Sequence, residues 1–174
     1  MTTMATATHD FIEQMGMALQ HDGMSRTAAR ILAMLILSEE PAGLDEIAEH
    51  LQVSKSGVST NTRDLERMGV IRRSTRPGDR QYYFSVADSA VNRLVENHVA
   101  RLSQAAEAVQ MALNTAPKKA KVSRERLSGL SYFYGVAIRK TSDILEEITG
   151  KKPISRSAGS TLPASQKRPA RRPA

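Results

Sequence analysis

The spacing of apolar residues changes at Gly69, and this change most constrains the fold. Upstream, apolar residues recur every three or four positions, as they do on amphipathic helices. Downstream, residues 70–74 and 81–86 are rich in β-branched and aromatic residues, and Pro77-Gly78 lies between these two runs. Two such runs around a proline-glycine turn are typical of a β-hairpin. The sequence therefore predicts a series of helices followed by one hairpin.

Side chains that suit helix ends divide the upstream region. Ser25, Asp45 and Ser54 are predicted N-caps, because their oxygens can accept hydrogen bonds from the free N–H groups of a first turn. Gly69 is suited to end the last of these helices with a positive φ. Residues 39–43 form a connector and residues 52–53 a turn. The predicted helices cover residues 9–20, 26–37, 46–51 and 55–68.

Two longer helices are predicted after the hairpin. The first begins at Asp88 or Ser89 and runs to about residue 114, and the second covers residues 123–148 and ends at Gly150. Both carry apolar seams at steps of three and four residues, which require a partner helix. The two helices could pack against each other or form an intermolecular bundle. The second arrangement is favoured, because little chain is left to cover so much apolar surface.

This order of elements predicts a mainly α fold with a small β-hairpin, a winged helix-turn-helix with long C-terminal dimerisation helices. The division of the chain follows from it. We expect an N-terminal helix for dimerisation or packing over residues 1–22 and the winged helix-turn-helix over residues 23–86. The dimerisation helices follow over residues 87–149, and a disordered basic tail over residues 150–174.

The distribution of charge indicates where an acidic partner would bind. The 174 residues carry a net charge of +7, and residues 150–174 contain seven bases and no acid. Residues 1–149 are therefore neutral, with 18 bases and 18 acids. Within them, residues 54–80 hold seven bases and three acids, a net charge of +4. A basic surface on the folded part must therefore be local to this segment.

Residues 55–68 have the composition of a DNA-recognition helix. At 100° per residue, Val58, Thr62 and Leu65 share the inner side. Hydroxyl and basic side chains lie on the other side or its flanks, where they can reach base edges in a major groove or phosphates. Ser54 and the first N–H groups suit a phosphate, and Gly57 permits close approach. The predicted contacts of this helix are Ser54, Lys55, Ser56, Gly57, Ser59, Thr60, Arg63 and, to phosphate, Arg67.

The tip of the hairpin adds Arg76 and Arg80 on either side of Pro77-Gly78. Arginines on a rigid turn suit the backbone or the minor groove, whose narrow walls concentrate negative potential. Asp79 is expected to orient one of these arginines rather than to contact DNA itself.

These stretches resemble the MarR-type transcriptional regulators, and within them the branch named after the glycine-betaine synthesis repressor, GbsR. The resemblance covers residues 23–86, and Met68 stands where that branch usually carries a tryptophan. It implies a homodimer that binds double-stranded DNA at a palindromic operator, often as a repressor released by a small molecule. The resemblance lies in Ser54-Lys55-Ser56-Gly57-Val58-Ser59, Arg63-Asp64-Leu65-Glu66, Gly69-Val70-Ile71, Pro77-Gly78-Asp79-Arg80-Gln81-Tyr82-Tyr83 and Ser25-Arg26-Thr27-Ala28-Ala29-Arg30-Ile31-Leu32.

Several classes of function lack the residues that they require. The sequence has no cysteine, so a disulfide framework and thiolate chemistry are excluded. The four histidines (9, 21, 50 and 98) show no metal-ligand spacing, and no catalytic triad or phosphate loop occurs. We therefore predict no enzyme activity, metal or cofactor. The short apolar runs and the N-terminus without a secretion signal predict a cytoplasmic protein without membrane association.

The identity of an effector, and whether one exists, stay open. Aromatic and methionine side chains could line a pocket between the long helices and the winged helix-turn-helix. However, adjacent residues of a helix point in different directions, and methionines commonly fill cores. Core packing is therefore the favoured role for this set, which comprises Tyr132, Phe133, Tyr134, Met15, Met17, Met34 and Met111.

The sequence predicts a dimeric, sequence-specific transcription regulator, with a tail that adds sequence-independent affinity by counterion release. Two alternatives remain. The basic tail also suits an architectural DNA-binding protein. Some winged helices instead bind proteins, and for these the charged face would be only a solvated surface and Ser54 only a helix cap.

Overall fold

The computed structural model describes residues 2–150, and side chains from residue 6 onward. Six helices and a three-stranded sheet form this part of the chain, as predicted for a mainly α winged helix. In chain order they are α1 Thr2–His21, α2 Arg26–Leu37, β1 Ala42–Gly43, α3 Leu44–Leu51, α4 Lys55–Arg67, β2 Ile71–Thr75, β3 Tyr82–Val86, α5 Ala90–Thr115 and α6 Lys121–Thr149. The tail predicted for residues 150–174 lies outside the described residues, apart from Gly150.

Most of the predicted helix ends are confirmed. Ser25 caps α2 by accepting a hydrogen bond from Ala28 N at 3.1 Å. Gly69, after α4, has a φ of +73°, which a residue with a Cβ rarely adopts. The predicted cap at Asp45 is wrong, because α3 begins two residues earlier than predicted, with Gly43 as its N-cap. Glu46 binds the Gly43 N–H at 3.2 Å, so a carboxylate of the first turn supplies the contact. The last helix begins at Lys121, two residues before the predicted start.

The sheet contains a strand that the sequence did not predict. The two-residue strand β1 lies in the segment expected to be a connector, and it pairs antiparallel with β3, with Ala42 opposite Phe84. The strand order is β1-β3-β2, so β3 is the central strand. The hairpin is thereby joined to the body of the domain through β1, which pairs with the edge of β3 opposite β2.

The core lies among α1 to α4 and the inner face of the sheet. It includes the fully buried Ile12, Ile31, Ile47 and Leu65. Arg30 joins three elements at the edge of this core. Its Nε lies 2.6 Å from Glu13 Oε1 on α1, an ion pair without hydrogen-bond alignment, and its NH2 donates to the Leu51 carbonyl at 3.1 Å.

The long helices α5 and α6 pack mainly against each other. Of their described residues only Ala90 is buried. The predicted apolar seams therefore meet within one chain but leave much apolar surface exposed. The start of α5 is attached to the end of α4, since Asn97 Nδ2 donates to the Met68 carbonyl at 3.0 Å and Leu94 packs on the core.

Candidate nucleic-acid interface

The turn from α3 to α4 presents the start of α4 to solvent. Gln52 takes the left-handed conformation with a φ of +54°, which reverses the chain after α3. Ser54 then caps α4, its Oγ accepting from Gly57 N at 3.1 Å. A Cβ on Gly57 would lie 3.1 Å from that Oγ, closer than ordinary packing allows. Glycine therefore also relieves crowding against the cap at this position.

The two sides of α4 have the division that the sequence predicts. Val58, Thr62 and Leu65 are buried, and the Thr62 hydroxyl donates to the Val58 carbonyl at 2.9 Å. The residues predicted to contact DNA are exposed at Ser54, Lys55, Ser56, Thr60, Arg63 and Arg67, and half-buried at Gly57 and Ser59. The structure thus presents small hydroxyls at the beginning of an exposed helix face and arginines further along it.

Three basic residues of this face differ in their partners. Lys55 Nζ lies 2.8 Å from Asp45 Oδ2, and Arg67 NH1 lies 3.1 Å from Asp64 Oδ1. All four of these side chains are solvent-exposed, and such pairs contribute only about 0.2–1 kcal/mol, so a phosphate can replace the acid. Arg63 forms no ion pair within residues 6–150. Arg63 is therefore available to a new partner without breaking an ion pair there.

The hairpin tip is a tight turn, as predicted. Asp79 N donates to the Arg76 carbonyl at 3.1 Å, and Gly78 has a φ of +81°, which with Pro77 before it matches a type II turn. Arg76 stacks on the Tyr83 ring, with Cζ 4.0 Å from the centroid. Arg80 is exposed. The wing thus carries one arginine held by the sheet and one directed to solvent.

Among the described residues, the Asp79 side chain bonds to the side chain of neither wing arginine, so the expected direct orientation of an arginine by Asp79 is wrong. Its carboxylate accepts hydrogen bonds from Tyr83 Oη at 2.6 Å and from Gln81 N at 3.0 Å. The Tyr83 hydrogen bond, and then the Gln81 N–H, lower the pKa of Asp79 below its usual value of 3.8. The side chain is therefore ionised at neutral pH, and its charge is satisfied by neighbours on its own hairpin.

Sequence reasoning also missed Asn61, which connects α4 to α2. Asn61 Nδ2 donates to the Gly57 carbonyl at 2.7 Å, and Asn61 Oδ1 accepts from the Ser25 hydroxyl. Helix α4 is therefore attached to the capped start of α2. No local sequence pattern predicts the contact between Ser25 and Asn61, because the two residues lie 36 positions apart in the chain.

The residues considered for an effector pocket occupy different environments. Met34 is buried in the core, whereas Met111 on α5 is 69% exposed and Tyr132 on α6 is also exposed. Phe133 and Tyr134 form an edge-on pair with centroids 5.3 Å apart.

Among the described residues, no group of three or more histidines, aspartates and glutamates could hold a metal ion. None of the helices in residues 2–150 is long and apolar enough to cross a membrane.

A capped helix with one buried face, joined to an antiparallel hairpin with a basic tip, defines a winged helix-turn-helix protein. Residues 22–81 match the model of the MarR family. The chain is 33% identical over 132 residues to the HTH-type transcriptional regulator MmpR5 of Mycobacterium tuberculosis (strain ATCC 25618 / H37Rv), an alignment that covers 73% of this chain and 80% of that protein. The chain belongs to the MarR family of transcriptional regulators, whose members bind DNA, act as dimers and are not enzymes.

A solved structure supports the same assignment. The crystal structure of a transcriptional regulator is 29% identical in sequence and superposes with a TM-score of 0.62. The match covers 83% of this chain and 99% of that one, so it extends well beyond the winged helix.

Proposed function

We propose that the chain is a cytoplasmic, dimeric repressor that binds a palindromic operator and is released by a small molecule. The exposed face of α4 supports sequence reading, because Ser56, Thr60 and Arg63 are exposed while the opposite face is buried. Arg63 carries the proposal, since a guanidinium without an ion pair in the described chain can bind a guanine edge bidentately. The other proposed major-groove contacts of α4 are Lys55, Ser56, Ser59 and Thr60, and Arg67 is the proposed phosphate contact.

The exposed apolar surface of α5 and α6 supports a two-fold dimer. Leu130, Phe133 and Ile144 of α6 are each about half exposed or more, and a second copy would cover such residues. A dimer of winged helices predicts two half-sites whose centres lie about 10 bp apart. We propose that residues 87–149 form this dimerisation region, and that residues 1–22, whose helix α1 packs mainly on α2, serve dimerisation or packing.

Two finer assignments rest on the sequence. The stretches around Ser25 and Ser54 favour the GbsR branch of the family, with Met68 as a departure from it. The seven bases of residues 150–174 favour a sequence-independent contribution to DNA affinity.

The test of sequence reading is Arg63→Ala, measured by fluorescence anisotropy on operator and random duplexes after mapping bound sites across the genome. We expect a loss of about 1–3 kcal/mol on the operator and a smaller loss on random DNA, because a base contact is removed. Arg126→Ala, an exposed arginine of α6, is the control and should leave both affinities unchanged.

Other outcomes separate the alternatives. An equal loss on every duplex would make Arg63 a phosphate contact. Equal wild-type affinity for operator and random DNA at physiological salt would indicate an architectural protein, and DNA affinity that does not depend on salt would indicate a protein-binding winged helix.

A further inference from the structure

Tyr83 is buried in a place that the hydrophobic core does not explain. Successive side chains of a strand point to opposite faces, and Phe84 of β3 belongs to the core cluster. Tyr83 is only 7% exposed, yet it lies outside that cluster. Its ring contacts Arg76 and its hydroxyl bonds Asp79 and Gln81, all three residues of the hairpin. A large aromatic residue has therefore been placed on the outer face of the sheet, beneath the hairpin tip.

The hydroxyl of Tyr83 holds the turn through Asp79. Tyr83 Oη donates to Asp79 Oδ2 at 2.6 Å and accepts from Gln81 Nε2 at 2.8 Å. Gln81 Nε2 also lies 3.3 Å from the same carboxylate oxygen, and Gln81 N donates to Asp79 Oδ1 at 3.0 Å. Hydrogen bonds to an ionised carboxylate are stronger than those between neutral groups. The Asp79 end of the turn is thereby fixed to the central strand.

The ring of Tyr83 holds the other end of the turn through Arg76. The guanidinium carbon lies 4.0 Å from the ring centroid, within the range of a cation–π contact. Arg76 NH2 also reaches the Pro41 carbonyl, at 3.4 Å, just before β1. Arg76 is therefore occupied by the protein itself, whereas Arg80 forms no ion pair or side-chain hydrogen bond with any described residue.

We propose that Tyr83 and Asp79 are positioning residues for DNA binding, which hold the wing turn on the sheet so that Arg80, rather than Arg76, enters the minor groove. The inference rests on the proposed function. A hairpin tip that is already ordered loses less conformational entropy on binding than a mobile one. The structure therefore gives the two wing arginines different tasks, with Arg76 as a clamp on Tyr83 and Arg80 as the contact with DNA.

The variant that tests this is Tyr83→Phe, which keeps the ring on Arg76 and removes the hydroxyl. We expect operator affinity to fall about tenfold, because the hydrogen bond that holds the turn is lost and the tip must be ordered on binding. The same change in an Arg80→Ala background should have less than about a twofold effect, because the coupled residue is already absent. Tyr82→Phe on the neighbouring, half-exposed tyrosine is the matched control and should change nothing.

Asp79→Ala gives an independent test, because the loss of its charge and the loss of its positioning role should change DNA affinity in opposite directions. Removing a negative charge from a DNA-facing turn should strengthen phosphate binding if only charge matters. Our proposal predicts weaker operator binding instead. The midpoint temperature of thermal unfolding should stay close to that of the wild type, because the core is unchanged. A gain in affinity for Asp79→Ala, or equal losses for Tyr83→Phe in both backgrounds, would overturn the positioning role. Absence of salt-sensitive DNA binding by the wild type would overturn the proposed function as well.

Discussion

The winged helix and the long helices α5 and α6 differ in how they bury apolar surface. In the winged helix, side chains such as Ile31, Ile47 and Leu65 are shielded by elements of the same chain. In α5 and α6 the apolar residues meet where the two helices contact each other. On the other faces of both helices they remain half-exposed or exposed. Hydrophobic burial is the main favourable term in folding. The first region therefore completes its core within one chain, whereas the second requires another surface for the same gain.

The largest expected effect tests this difference directly. Leu65→Ala removes a side chain with 0% exposure and should lower the free energy of unfolding by about 2–5 kcal/mol. Leu130→Ala removes a side chain that is 45% exposed and should cost less than about 1 kcal/mol when the chain is monomeric. Urea unfolding at several protein concentrations measures both.

The dependence on concentration sharpens the comparison. The cost of Leu130→Ala should increase as the protein dimerises, because the partner then buries the position. The cost of Leu65→Ala should not. Equal costs for the two variants at the highest dilution would show that α5 and α6 complete their own core.

A smaller effect is expected at the start of α4. Ser54→Ala removes the acceptor of the Gly57 N–H and should destabilise the domain by about 0.5–2 kcal/mol. Ser54→Asp should restore stability, since aspartate caps equally well, but should weaken DNA binding, since its charge repels phosphate. Thermal unfolding and DNA titration of both variants measure this. If Ser54→Asp binds DNA as well as the wild type, no phosphate lies near this cap.

The smallest effect concerns the contact of α1 with α2. The hydrogen bond from Arg26, with the charge of Arg30, lowers the pKa of Glu13 below its usual value of 4.5. A lowered pKa contributes stability that is present above pH 4.5 and lost as the pH falls through the folded-state pKa. Glu13→Gln should therefore be less stable than the wild type at neutral pH, and the difference should close below about pH 4.5.

Unfolding of both proteins at several pH values measures that difference, and Glu49→Gln, an exposed glutamate of α3, is the control. A difference that does not shrink as the pH is lowered below 4.5 to the acid limit of folding would assign the effect to packing rather than to charge.

Local physics explains which features the sequence predicted. The cap at Ser54, the positive φ at Gly69 and the buried positions of α4 depend on spacing within one helix, so the sequence contains them. Strand β1 has only two residues, too few for a period, and it exists because β3 supplies its partner.

The role of Asp79 depended on the register of the hairpin. That register places Tyr83 opposite Ser74 and gives the carboxylate a hydroxyl nearer than either arginine. Charge alone therefore suggested the wrong partner. Asn61 shows the same limit, because its contact with Ser25 arises only when α2 and α4 pack together.

The bond from Asn97 to the Met68 carbonyl fastens the first turns of α5 to the last turn of α4. Any tilt of α5 must either carry α4 with it or break this bond. Helix α5 spans 26 residues, about 39 Å at 1.5 Å per residue. A tilt of α5 about this bond therefore displaces its far end much more than it displaces α4. The hydrogen bond to the Met68 carbonyl thus couples the orientation of α5 to that of α4.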